Sequence, residues 1–153
     1  MSLMLSIVVP TYKEAENLPL LAEALHRELN GQVIYELLIV DDLSPDNTAE
    51  VCASLAEQYP LKLIQPAGRP RDLSLSVIDG IGLAGYDRVL VMDADLSHPP
   101  AKIPQMLAEL DQAPDAFVVG SRYVQGGSFD REWSLWRFLN SHFATLLARP
   151  LTH

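Results

Sequence analysis

Leu5-Ser6-Ile7-Val8-Val9-Pro10-Thr11-Tyr12-Lys13-Glu14-Ala15-Glu16-Asn17-Leu18 changes its hydrophobic rhythm halfway along. Residues 5–9 form a near-continuous apolar run rich in β-branched side chains, the pattern of a strand buried on both faces. Beyond the polar stretch, Leu18, Leu21, Ala22, Leu25 and Leu29 recur at the three-to-four step of one helix face. A buried strand that passes through a polar loop into an amphipathic helix is the first unit of an alternating α/β fold.

The unit repeats. Apolar runs at 35–40, 61–64, 88–92 and 116–120 read as four further strands. A second helix begins at Asn47, placed as an N-cap with Glu50 three residues later; Val51 and Leu55 share one of its faces and Cys52 packs within it. Further helices are expected at 73–83 and 102–110. Strands alternating with helices imply a mostly parallel central sheet with helices on both faces. Gly126, Gly127 and Ser128 mark a break before a C-terminal extension.

Composition narrows the class. The 153 residues are 48% hydrophobic and 20% charged, ordinary globular usage that argues against disordered, collagen-like and disulfide-stapled chains. Twenty acids against 11 bases leave a formal charge of −9. Such a surface repels a polyphosphate backbone, so nucleic acid is not an expected partner, and a polyanionic ligand needs a metal or local arginines. Cys52 is the one cysteine, which excludes an internal disulfide and a thiolate zinc cluster and points to a reducing, cytoplasmic compartment. The apolar runs are about five residues long, against the roughly 18 to 20 that cross a bilayer, and no leader-like segment precedes Pro10.

Ligands of open α/β sheets bind beyond the carboxyl ends of the strands, so the residues after each apolar run are the informative ones. After the first, Tyr12, Glu14 and Glu16 offer an aromatic ring and two acids beside a helix start with free amides, suited to a base and ribose. The same region reads equally well as Pro10 ending the strand and the acids complementing the helix dipole. After the second, Asp41 and Asp42 stand side by side, one to accept from a base or ribose and the other to organise the loop. Neither a dinucleotide glycine fingerprint nor a P-loop occurs. After the fourth, Asp93 and Asp95 flank Ala94 at a strand end, where they can hold Mg2+ or Mn2+, hard cations that share protein carboxylates with substrate phosphates. His98 is either a third ligand or a loop residue.

In order, Val9-Pro10-Thr11-Tyr12-Lys13-Glu14, Val40-Asp41-Asp42-Leu43-Ser44-Pro45-Asp46, Met92-Asp93-Ala94-Asp95-Leu96-Ser97-His98-Pro99 and Gly120-Ser121-Arg122-Tyr123 carry a family resemblance. The chain resembles the family 2 inverting glycosyltransferases of GT-A fold, the nucleotide-diphospho-sugar transferase architecture, and most closely the dolichol-phosphate or polyprenol-phosphate mannosyltransferases. The resemblance implies that Pro10, Tyr12 and Glu14 form a nucleotide-binding strip and that Val40 and Asp42 contact base and ribose. It makes Asp93, Ala94 and Asp95 the diphosphate site, with Asp93 and Asp95 as ligands of Mg2+ or Mn2+. Arg122 becomes a phosphate contact that stabilises charge as the sugar bond breaks, and the catalytic set is Asp93, Asp95 and Arg122.

The expected activity is metal-dependent transfer of a hexose, mannose from GDP-mannose or glucose from UDP-glucose, onto a polyprenyl phosphate with inversion. Residues 1–4 read as a cloning remnant, 5–123 as the nucleotide-sugar-binding core, and 124–153 as an extension with an amphipathic helix and an incomplete acceptor part, truncated relative to the family. That helix, with Trp133, Trp136, Phe138 and Phe143 near Arg131, Arg137 and Arg149, either lies on the cytoplasmic membrane face or packs on the sheet. Two other readings stay open. One is a nucleotide-sugar-binding fragment without turnover, and the other a family 2 enzyme acting on a glycan hydroxyl, which would need a carboxylate base. Arg71-Asp72-Leu73-Ser74-Leu75-Ser76 replaces the Gly-Leu-Gly step of many relatives, with Asp72 expected to pair with Arg69 or Arg71, and Ser97 stands where some relatives carry Gln.

Overall fold

Strand β1 (Leu3–Thr11) pairs in parallel with β2 (Val33–Asp41) along its whole length, from Leu3 opposite Val33 to Thr11 opposite Asp41. The computed structural model describes residues 3–113 and 116–121. β3 (Leu61–Ile64) extends the sheet beyond β2, and the chain then crosses to the far side of β1 for β4 (Val89–Val91). The result is a four-stranded parallel sheet in the order β3-β2-β1-β4. Helices α1 (Asn17–Leu29), α2 (Thr48–Leu55), α3 (Leu73–Gly82) and α4 (Ile103–Gln112) alternate with the strands, all within a compact unit that ends at Val118. The change of direction after β3 puts a topological switch point between β1 and β4, where sheets of this kind open to ligands.

Alternation along β1 and β2 divides the apolar side chains between two faces. Leu5, Ile7, Val9, Leu37 and Ile39 meet the α1 stripe Leu18, Leu21, Ala22, Leu25 and Leu29, all buried. An isolated helix of 13 residues is marginal in water, so this burial is what holds α1 in place. Cys52 and Leu55 of α2 and Ile103 and Leu107 of α4 complete the same layer. On the other face, α3 covers Val8, Leu38 and Val40. A Cβ at Gly80 would stand 2.3 Å from Val8 and 3.0 Å from Val40, so only glycine lets the α3 backbone come this close to the sheet.

Glu36 projects on the α3 side and accepts from the Ser6 hydroxyl (2.7 Å), the Gly85 N–H (2.6 Å) and the Lys62 ammonium (2.8 Å). The Tyr86 N–H donates in turn to the Ser6 oxygen at 3.1 Å, so the pair pins the α3–β4 loop. Burial pushes the Glu36 carboxyl up, but the bonds from Lys62, Ser6 and Gly85 outweigh it and hold it below the usual glutamate range.

The structure departs from the sequence reading at three places. β1 continues through Pro10 to Thr11. Ser6 and Val8 direct their backbone groups toward β4, where Val8 accepts the Met92 N–H, and Pro10 falls on that same side just past the last β4 pairing. Its missing N–H therefore takes nothing from the ladder. Asn47 occupies the N-cap of α2 without a side-chain bond; Asp46 does that work, accepting from the N–H (3.3 Å) and hydroxyl (2.6 Å) of Thr48. The run 116–120 is not a strand: its backbone pairs with no strand among the described residues, and Phe117 is 86% exposed. Apolar composition supplies a reason to be buried, but a strand also needs an edge to bond to. Among the described residues no helix is long and apolar enough to cross a membrane. Arg122 and the extension 124–153, including the aromatic stretch from Trp133, lie outside the described residues.

Candidate functional site

Three loops leave the carboxyl ends of β1, β2 and β4, and each holds one residue in the left-handed backbone region: Lys13 (φ 60°), Leu43 (φ 55°) and Leu96 (φ 60°). Side chains with a Cβ seldom adopt that conformation, and it persists where the surroundings over-determine it. Asp41 supplies the constraint for the first two loops. Fully buried, it accepts from the Ser44 N–H (3.0 Å), the Ser44 hydroxyl and the Gln65 amide (2.9 Å). The Ser44 oxygen accepts the Lys13 N–H at 2.8 Å, and the Asp42 N–H donates to the Thr11 carbonyl at 3.0 Å. The loops after β1 and β2 are thereby joined through one carboxylate.

Between the three loops lies a cleft of about 340 Å3. Of the residues singled out from sequence, Pro10, Tyr12, Glu14, Asp42, Asp93, Ala94 and Asp95 all line it. Val40 does not: its side chain is fully buried against Val8 and Gly80, because even-numbered positions of β2 face α3. Glu14 also starts α1, its carboxylate accepting from the Asn17 amide at 2.6 Å and its carbonyl from the Asn17 and Leu18 N–H groups.

Asp42 is held on both oxygens. Arg69 donates to one at 3.0 Å and the Asp72 N–H to the other at 3.0 Å, leaving the side chain 7% exposed. Arg69 also reaches Asp79 (2.9 Å), the Ser76 hydroxyl (3.1 Å) and the Pro70 carbonyl (3.1 Å), riveting the β2 loop to α3. The expected Asp72–arginine pair is absent among the described residues. Asp72 instead caps α3 by accepting the Leu75 N–H at 3.0 Å, a use of the carboxylate that outcompetes an exposed ion pair. Arg71 lays its guanidinium 3.9 Å over the Tyr12 ring, a cation–π contact at the mouth of the cleft.

The third loop is different. Ala94 is buried in the core at 3% exposure, and the turn that carries it places Asp93 and Asp95 along the cleft. The Asp93 side chain is 56% exposed and accepts no hydrogen bond among the described residues; one oxygen faces His98 Nε2 at 3.8 Å. Asp95 accepts the Ser97 N–H at 2.9 Å. Burial pushes the Asp95 carboxyl up, but the Ser97 N–H and hydroxyl, together with His98, outweigh it and leave the group below the usual aspartate range, ionised at neutral pH. Among the described residues no group of three or more His, Cys, Asp and Glu gathers as a complete cage. Two carboxylates open to one cleft fit Mg2+ or Mn2+, which takes the rest of its oxygens from phosphates and water.

The sequence missed the roles of Ser44, Arg69 and His98. Arg69 has acids at 42, 72 and 79 to choose from, and only the packing of α3 on the sheet selects two of them. Ser44 carries a signal in retrospect: Asp-x-x-Ser, with a left-handed residue between, is a side-chain-to-backbone turn.

A parallel sheet with an acidic strand-end cleft at its switch point is the GT-A architecture. The model of glycosyl transferase family 2 matches residues 6–152, and the chain belongs to that family. It is 40% identical over 144 residues to a dolichol-phosphate mannosyltransferase of Pyrococcus furiosus, covering 94% of this chain and 40% of that protein. To a dolichol-phosphate mannosyltransferase of Saccharomyces cerevisiae it is 36% identical over 155 residues, covering 99% and 57% respectively. The chain thus spans about half the length of the curated relatives it matches. Among solved structures, it superposes on a mannosyltransferase from Pyrobaculum calidifontis in complex with GDP-Man and Mn2+ with a TM-score of 0.59 at 24% identity, covering 76% of this chain and 33% of that one. A mannosyl-3-phosphoglycerate synthase from Rubrobacter xylanophilus gives a TM-score of 0.62 at 22% identity, covering 73% and 38%. At these identities the structural likenesses establish the fold.

Proposed function

We propose that the cleft binds a nucleoside-diphosphate sugar, GDP-mannose in preference to UDP-glucose, for transfer of the hexose with inversion to a polyprenyl phosphate of the dolichyl kind. One observation carries this reading: the open carboxylates Asp93 and Asp95 share a single cleft with Tyr12 and Asp42, so a ligand with a base at one end and a diphosphate at the other meets both. The identity of 36% to 40% with dolichol-phosphate mannosyltransferases over nearly the whole chain supports mannose as the sugar and a dolichyl phosphate as the acceptor.

Each residue has a task that follows from its setting. Asp42, immobilised by Arg69 and the Asp72 N–H, presents its remaining lone pairs to donors on the base or ribose. Tyr12 and Arg71 offer flat surfaces for stacking. Asp93 and Asp95 would hold Mg2+ or Mn2+, which when bound supplies Lewis-acid neutralisation of the departing nucleoside diphosphate. Their exposure to the cleft leaves them able to do so. Arg122 is a further phosphate contact in this reading, and the arginine- and aromatic-rich stretch 131–149 is a peripheral membrane contact beside a lipid acceptor.

An acceptor phosphate monoester with a second pKa of about 6 is largely ionised at neutral pH. Its oxygen forms the new bond to the anomeric carbon from the face opposite the diphosphate while the bond to the diphosphate breaks, and no proton has to be removed. The chain then needs no general base, in keeping with a cleft whose acids are bonded or reserved. The test is to supply Mn2+, a short polyprenyl phosphate and either labelled GDP-mannose or labelled UDP-glucose. Lipid-linked mannose from the first alone is expected; label on a glycan but not on the lipid phosphate would overturn the acceptor, and donor binding without product would identify a donor-binding fragment.

A further inference from the structure

His98 is the loop residue that the donor-site reading leaves without a task. It ends the segment that begins with Asp93, and its ring turns back on that residue: the Asp93 N–H donates to His98 Nδ1 at 3.1 Å, and His98 Nε2 lies 3.8 Å from the Asp93 carboxylate. A ring that accepts at Nδ1 carries its proton on Nε2. The nitrogen nearer the carboxylate is thus an N–H and has no lone pair for a metal.

The His98 backbone is also anchored, although its side chain is 49% exposed. His98 precedes Pro99, which restricts its backbone to extended conformations. Pro99 is itself extended (φ −68°, ψ 120°) and leads into the turn Pro100–Lys102, where Pro100 is buried, and from there into α4, whose Ile103 and Leu107 lie in the core. The opposite end of the loop, by contrast, crosses Leu96 in the left-handed region and leaves Asp93 more than half exposed. A loop of this kind adopts many conformations unless something closes it.

Resting on the donor-site reading above, we infer that His98 is a positioning residue: it clasps the Asp93 backbone through Nδ1, fixing the carboxylates of Asp93 and Asp95 for the metal–diphosphate group, and is not itself a metal ligand. Outer partners that orient metal-site carboxylates are commonly worth 10- to 100-fold in metal affinity.

Isosteres of the two ring nitrogens separate clasp from ligand. An asparagine oxygen can occupy the place of Nδ1, whereas a glutamine side chain reaches the place of Nε2. The probe is Mn2+ in the presence of GDP, with bound Mn2+ read by electron paramagnetic resonance and folding checked by thermal melting. His98→Ala is expected to weaken Mn2+ binding about tenfold. His98→Asn should recover to within about threefold of wild type, and His98→Gln should stay with the alanine variant. Recovery by His98→Gln but not His98→Asn would make His98 a ligand and overturn the inference, as would wild-type affinity in His98→Ala. In the metal-free protein, 15N-labelled histidine should show an unprotonated Nδ1 and a protonated Nε2 at His98; the opposite tautomer would also overturn the clasp. Because that spectrum needs no donor, wild-type protein that binds no Mn2+ with GDP would defeat the donor-site reading while the spectrum still judges the clasp.

Discussion

Asp41 and Asp42 at the end of β2, and Asp93 and Asp95 just beyond β4, look alike in sequence, two carboxylates following an apolar run. The structure uses them in opposite ways. Asp41 is fully buried with three donors upon it, and Asp42, at 7% exposure, is gripped by Arg69 and the Asp72 N–H. Asp93 is 56% exposed with no donor within hydrogen-bond distance among the described residues, and Asp95 is bonded by Ser97 alone among them. The first pair ties loops together, although Asp42 still faces the cleft; the second is left open to it. A carboxylate whose acceptor capacity is already filled cannot also bind a cation, and the number of donors already on it decides which role it takes.

The contrast is tested most severely by removing charge without changing shape. Asp41→Asn replaces one acceptor oxygen with an amide that confronts the Ser44 N–H or the Gln65 amide, and is expected to cost about 2–4 kcal/mol in urea unfolding. Arg69→Ala leaves Asp42 nearly buried with one donor and should cost about 1–2 kcal/mol, less than a fully buried pair because Arg69 retains some exposure. Asp93→Asn and Asp95→Asn should each stay within about 0.5 kcal/mol of wild type. Comparable losses at both pairs would break the contrast.

Acid titration sharpens it further. Glu36 belongs with the bonded group, and its carboxyl is held below the usual glutamate value of 4.5. A group depressed in the folded state contributes stability that is present above its unfolded pKa and is lost as pH falls through the folded one. The urea midpoint should therefore fall as pH drops below about 4.5, and Glu36→Gln should be less stable at neutral pH but flatter in that window. The smallest effect is expected at Cys52, whose thiol is pushed up to about 11 by burial and by the charge of Asp41. In the folded protein it should resist iodoacetamide at neutral pH, so labelling of Cys52 reports unfolding in the Asp41→Asn variant, and Cys52→Ala should leave donor binding unchanged.

Much of this was legible beforehand, for identifiable reasons. The α1 stripe from Leu18 to Leu29 could be read because helical period and burial coincide there, and β1 and β2 because strands buried on both faces need continuous apolar runs. The run 116–120 misled because hydrophobicity reports a tendency to be buried and carries no information about a pairing partner. Asp93, Ala94 and Asp95 could be placed because they follow directly on an apolar run, and the carboxyl end of a sheet strand is where ligands of this fold class bind. Strand alternation along β2 sends the Val40 side chain beneath α3, outside the cleft lining, while its neighbour Asp41 organises the loop. The clamps made by Arg69 and His98 depend on long-range approach and on a turned-back ring, neither of which leaves a periodic trace in the sequence.

The division of labour between the two carboxylate pairs is tested most directly by calorimetric titration of GDP into wild-type protein and Asp95→Ala, each with and without Mn2+. Wild type is expected to bind GDP on the order of 100-fold more tightly with the metal, about 2.7 kcal/mol, and Asp95→Ala to lose that increment while keeping its metal-free affinity and its melting temperature. A full metal increment in Asp95→Ala would contradict the assignment of the open pair to the metal–diphosphate group.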